Sequence, residues 1–236
     1  EFVLVNFSPR EVENKVNDFV SNLLQSIAVV AAVMLFSLGL RTGIVVSSLI
    51  PISMIATVFV MNYFDIGLDQ VSLAALIIAL GMLVDNGIVM SENILVQMNQ
   101  GKSSTEAAIT SANELKIPLL TSSLTTSAAF LPIFLAESSM GEYTAALFQV
   151  VTITLLCSWV LSLTLIPLLC VMFLKAKKNQ SENFNKGFYP YYRALLMLLL
   201  RNRIVTVTAI IAIFFVSLEA MKSVPNIFFP PSDRPF

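Results

Sequence analysis

The chain has 236 residues, of which 56% are hydrophobic and only 12% charged, with a net charge of −1. Soluble domains carry roughly twice that charged fraction, so a mean hydropathy of +0.82 points to an integral membrane protein. There is no basic excess for nucleic acid. The lack of any histidine removes the side chain best suited to a neutral-pH proton relay or a metal site.

The chain opens on Glu1 and shows no signal peptide, so it is expected to be a piece of something longer. Residues 1–7 read as a short extended lead-in. Ser8-Pro9-Arg10-Glu11 is a capping box with proline at the first helical position. It starts a helix that leads, through a segment ending near residue 18, into the first apolar stretch at residues 19–38. Further apolar stretches cover residues 44–64, 71–98, 117–136, 143–174 and 204–221. Each has the ~20 apolar residues a span needs, which gives six spans. Pro51, Pro132 and Pro167 fall inside them, which is tolerated where neighbouring helices satisfy the freed carbonyls.

Between the spans, Ser103-Ser-Thr-Glu106 is a second capping-box match, so residues 107–115 are expected as a short surface helix or a plain connector. Residues 175–203 form a basic cytoplasmic segment. Within it, residues 184–203 place Phe188, Tyr189, Tyr191 and Tyr192 beside Arg193, Arg201 and Arg203. That composition suits an amphipathic helix in the membrane interface, unless part of it simply extends the sixth span. Residues 204–222 complete that span, and residues 223–236 leave it. Ten of the 14 basic residues lie in the connections after spans one, three and five, and four lie on the other side. The positive-inside rule therefore places both termini outside the cytoplasm.

The third span carries an acid at mid-membrane. Asp85 has no basic residue near it in sequence, and a carboxylate at bilayer depth costs several kcal/mol unless paired, hydrated or protonated. Glu92 follows seven residues later, nearly on the same helical face; a structural role at the helix end is its alternative. Asn86 and Asn93 repeat that spacing one step round. Asn86 is expected to hydrogen-bond Asp85 and orient it. Gly81 and Gly87 flank the acid and allow close backbone approach. This face is expected to be narrow and polar and to point into a bundle.

The fourth span offers Thr121, Ser122, Ser123, Thr125, Thr126 and Ser127. Hydroxyls can bond back to their own helix, and most are expected to do so. One or two, with Thr125 and Thr126 as candidates, could line a water or proton path to Asp85. Trp159 reads as packing, and Glu219 as snorkelling at the outer end of the last span. Cys157 and Cys170, thirteen residues apart on one helix, are ~20 Å apart along its axis, beyond disulfide reach. No phosphate-binding loop and no nucleophile–base spacing is present. Neither an enzyme nor a bound cofactor is expected, and energy would come from an ion gradient.

At this point a resemblance emerges. Gly81-Met-Leu-Val-Asp-Asn-Gly-Ile-Val-Met-Ser-Glu-Asn93 resembles the fourth-helix signature of the resistance–nodulation–division (RND) transporters. Ser127-Ala-Ala-Phe-Leu-Pro132, Leu165-Ile-Pro-Leu-Leu-Cys170 and Val224-Pro-Asn-Ile-Phe-Phe-Pro230 resemble that family's fifth helix, sixth helix and exit from the seventh. The resemblance implies an all-α membrane protein, one half of a twelve-helix domain, spanning helices two to seven. It further implies a proton-driven multidrug exporter of the Gram-negative inner membrane. In that case the second half supplies a coupling lysine, the full protein is a homotrimer, and a periplasmic adaptor and an outer-membrane channel complete the pathway. Drug-exporting members usually carry two adjacent aspartates, and heavy-metal exporters often carry a small apolar residue at the second position. Here Asn86 stands there. An exporter of metal ions, lipids or proteins, and a passive membrane scaffold, are the rival readings.

Overall fold

In a computed structural model, residues 8–137, 139–174 and 189–222 are described, and among them every regular element is helical. The chain divides into two compact units, Glu1–Lys178 and Asn179–Phe236.

The first unit includes α1 (Ser8–Leu38), which joins the Ser8-Pro-Arg-Glu11 run to the first apolar stretch. Gly39, with φ of 79°, turns the chain directly into α2 (Leu40–Tyr63). A left-handed residue at this junction favours glycine. The turn brings the two backbones into contact, because a Cβ on Gly43 would lie 2.8 Å from the Leu35 Cα and 2.9 Å from the Met34 oxygen. Neither backbone atom can swing aside as a side chain could. Gly43→Ala should therefore destabilise the α1–α2 pair by about 1–3 kcal/mol, read as a lower thermal midpoint, whereas Gly67→Ala, with nothing near its Cβ, should cost far less.

Helix α3 (Gln70–Asn99) starts at Asp69, whose carboxylate accepts from the Ser72 amide at 2.7 Å while the Ser72 hydroxyl accepts from the Asp69 amide at 2.8 Å. These reciprocal bonds satisfy two of the donors a helix start leaves open. Helix α4 (Ser104–Ala128) is capped by Ser103, which accepts from the Glu106 amide.

Here the structure differs from the expectation. The surface helix and the fourth span are one helix, running straight through Pro118. The span then stops at Ala128, and Pro132 opens a separate short helix, α5 (Leu131–Phe134), rather than sitting inside a continuous one. Proline disfavours helical backbone in the residue before it and cannot donate to the preceding turn. Pro51 and Pro167 do lie within α2 and α6 (Ser139–Phe173). Five helices among the described residues are long and apolar enough to cross a membrane: α1 from Ser21, α2, α3, α6 from Thr144, and α8. The hydroxyl-rich α4 is long enough but too polar to meet that measure, so the described helices give five such spans where six were expected.

Helix α6 packs on α2, α3, α4 and α5. Its Thr154, Ser158 and Ser162 follow one face at four-residue spacing and are fully buried. Small hydroxyl residues suit this position, since lipid is as apolar as leucine and close backbone packing drives helix association. Val46, Leu49, Leu76, Leu83 and Ile166 fill the space between these helices.

The second unit contains α7 (Tyr189–Arg201) and α8 (Arg203–Met221). They are distinct helices separated at Asn202, so α7 is no extension of the last span. The Thr206 hydroxyl bridges the junction by donating to the Leu199 carbonyl at 2.9 Å. At the far end of α8, Glu219 forms an exposed ion pair with Lys222 at 2.7 Å. The remaining predicted lead-in (residues 1–7), basic segment (residues 175–188) and exit (residues 223–236) lie outside the described residues.

Candidate functional site: the two stripes of α3

Exposure along α3 recurs at intervals of three and four: Ala74, Ile78, Gly81, Asp85, Val89, Glu92 and Val96. That is the period of one helix face. The face is open along the whole helix, and both acids lie on it. The expectation that Asp85 points into a bundle is thus not met within this chain. Among the described residues, no cation and no hydrogen-bond donor reaches the Asp85 carboxylate. Gly81 belongs to the same open face, and a Cβ there would meet nothing within 4 Å. Gly87 is different: its Cβ would lie 2.9 Å from Leu49 Cδ2, so it is the glycine that admits α2.

One step round the helix lies a second stripe, made of amides. Asn86 is buried, and its Nδ2 donates to Ser123 Oγ of α4 at 3.2 Å and Ser158 Oγ of α6 at 3.4 Å. The Ser158 hydroxyl in turn donates to the Leu83 carbonyl at 2.6 Å. Asn93 accepts from the Ser111 hydroxyl at 3.0 Å, and Gln97 donates to the Glu114 carboxylate at 3.2 Å. Residues 86, 93 and 97 share a face by helical geometry. They join α3 to α4 over nearly half the length of the hairpin. So the structure brings Asn86 and Asn93 into the bundle and leaves Asp85 and Glu92 outside it. The Asn86 amide serves α4 and α6, not the acid beside it.

On α4, Thr125 and Thr126 return their hydroxyls to the carbonyls of Thr121 and Ser122, at 2.8 and 3.0 Å. This local bonding is what a hydroxyl in an apolar helix does by default. Besides Ser111, the α4 hydroxyls that reach other helices are Ser123 and Ser127, the latter paired with Thr152. Sequence reading passed over Ser158, Ser111 and Gln97. The signal available was the 86/93/97 amide register, which marks a face as clearly as an apolar stripe does. Trp159 does more than pack: its indole N–H donates to the Lys116 carbonyl at 2.9 Å, just before Pro118.

At the other end of α3 a cavity of ≈ 510 Å³ is lined by Phe64, Asp65, Asp69 and Gln149 among others. Asp69 is sixteen residues from Asp85, ~24 Å along the axis, so this cavity is separate from the acid stripe.

Membrane-length helices packed through small and hydroxyl residues, with an acid retained on one of them, define a polytopic α-helical membrane protein. The chain belongs to the AcrB/AcrD/AcrF family, whose model matches residues 5–235. This agrees with the RND resemblance carried by residues 81–93. Similar relatives are the multidrug resistance protein MdtC of Escherichia coli O139:H28, 30% identical over 220 residues, and that of Escherichia coli O9:H4, 32% identical over 224 residues. The MdtC protein of Escherichia fergusonii is 30% identical over 220 residues. Each alignment covers 89% of this chain and 21% of the relative, so the chain spans about a fifth of the length of the curated relatives it matches.

Proposed function

We propose that this chain is the proton-coupling membrane half of a proton-driven multidrug exporter of the RND type, working by drug/proton antiport. The observation that carries the reading is Asp85: an acid at mid-span, on an open helix face, with no partner among the described residues. Ionised and alone in lipid, such a group is costly. A second set of helices, bringing a lysine, is the partner this face suits. Proton uptake at Asp85 then removes its attraction to that lysine, and the helices shift because the two protonation states interact differently with the partner. The family match and the names of the MdtC relatives support export of drugs as the task. On this reading the protein sits in a bacterial inner membrane as a homotrimer, with a periplasmic adaptor and an outer-membrane channel beyond it. It has no catalytic chemistry of its own on the substrate, and the proton gradient takes the place of a cofactor.

The orientation follows from the distribution of basic residues. A cysteine at Ser104, in a background lacking Cys157 and Cys170, should be protected from a membrane-impermeant thiol reagent in intact cells, and one at Leu68 should label. Labelling of Ser104→Cys from outside would reverse the topology. The scaffold reading is tested by drug-dependent proton flux in the reconstituted full-length protein: an exporter half shows flux that depends on Asp85, and a scaffold shows none.

A further inference from the structure

The hydrogen-bond accounting around Asn86 is closed in one direction only. A carbonyl can only accept, so the Ser158 proton is committed to Leu83 at 2.6 Å. What Ser158 then shows to residue 86 is a lone pair. The atom of residue 86 within reach of Ser158 must therefore be an N–H, which fixes the amide orientation as Nδ2 toward α6. The same Nδ2 reaches Ser123 on α4. Asn86, Ser123 and Ser158 are all buried, with Ser158 fully so. An ionised carboxylate at position 86 would accept from Ser123 but would face the Ser158 lone pair in a buried site, where an unmade or repulsive polar contact is expensive.

We infer that the Leu83–Asn86–Ser123–Ser158 node is a clasp that holds α3, α4 and α6 in one register beside Asp85, and that it requires a neutral N–H donor at position 86. The clasp grips the turn of α3 that carries Asp85, on the side facing the bundle. With it closed, α3 cannot rotate or slide by itself, and Asp85 stays on the open stripe. A change in the charge of Asp85 then moves the three helices together. Asn86 is thus a positioning residue. Its effect on transport rests on the proton-coupling reading above, whereas its effect on helix register does not.

The test is a double-substitution cycle in the full-length protein, with two readouts: dye export from cells, and the thermal unfolding midpoint of purified protein. Ser158→Ala alone should lower both, because Asn86 loses an acceptor. Asn86→Asp should lower export by about tenfold, in the range expected for coupled neighbours. Adding Ser158→Ala to Asn86→Asp should raise both readouts again, since the opposing lone pair is gone. A simple packing role predicts instead that Ser158→Ala lowers both readouts in either background, and that result would overturn the clasp. If Asn86→Asp does not accumulate, Asn86→Leu takes its place: Ser158→Ala should then cost clearly less than it does beside Asn86, and an equal cost would overturn the clasp. Asp85→Asn is measured alongside. Full export by that variant would remove the coupling reading, while the thermal cycle would still decide the clasp.

Discussion

Asp85→Asn should reduce drug export by the full-length protein to background while leaving its amount in the membrane unchanged. The substitution is nearly isosteric. Asp85 makes no hydrogen bond or ion pair among the described residues, and it lies on an exposed face of α3. Changes at such positions usually move the stability of the fold that carries them by less than about 0.5 kcal/mol, so this half should still fold and insert. Function is another matter. An amide cannot take up a proton, and a site that interacts equally with both states of the gradient shifts no conformational equilibrium. The loss should therefore appear in export and proton flux, with drug susceptibility equal to that of cells lacking the protein. Glu92→Gln gives the internal comparison. Glu92 lies on the same stripe two turns further along α3, and a retained fraction of export there would confine the coupling step to Asp85.

Gly81→Leu should cost export about as heavily, for a steric reason. Within this chain a Cβ at Gly81 meets nothing, so the α2–α3–α4–α6 packing has room for the larger residue. In the assembled protein the same face should be covered by the second half. Forcing a leucine into a closely packed helix contact costs about 1–3 kcal/mol, enough to lower the population of a competent interface by roughly 5- to 150-fold. Gly87→Leu should behave differently. Its side chain collides with Leu49 inside the chain's own bundle, so the expected result is less folded protein, measured as membrane-inserted material. If Gly81→Leu exports normally, the open stripe of α3 is a lipid face, and the second half packs elsewhere.

Much of the architecture was legible in the sequence because lipid imposes a simple rule: a span needs about twenty apolar residues with its backbone bonds made internally. That rule placed α2, α3, α6 and α8 within a few residues. It failed at α4, where a mixed run of serines, threonines and prolines gives weak hydropathy. There the outcome depends on which proline interrupts the helix: Pro118 does not, and Pro132 marks a new start. Asp85 stood out because a charge in an apolar run has few explanations. The partition of its neighbours did not. Asn86 is adjacent in sequence, and only the rotation of α3 against α4 and α6 decides that Asp85 faces out and Asn86 faces in. That rotation is set by contacts of high sequence separation, Asn86 to Ser158 and Ser158 to Leu83. Which of the α4 hydroxyls reach across to other helices was hidden for the same reason. Thr125 and Thr126 had the right chemistry but point along their own helix, while Ser123 sits on the face that meets α3.

The central claim is that Asp85 is the proton-coupling group. It is tested most directly by reconstituting the full-length protein in vesicles, imposing a proton gradient and following dye transport and internal pH together. The account predicts dye movement accompanied by proton counterflow in the wild type, and neither in Asp85→Asn. Gradient-driven dye transport with undiminished proton counterflow in Asp85→Asn would contradict it.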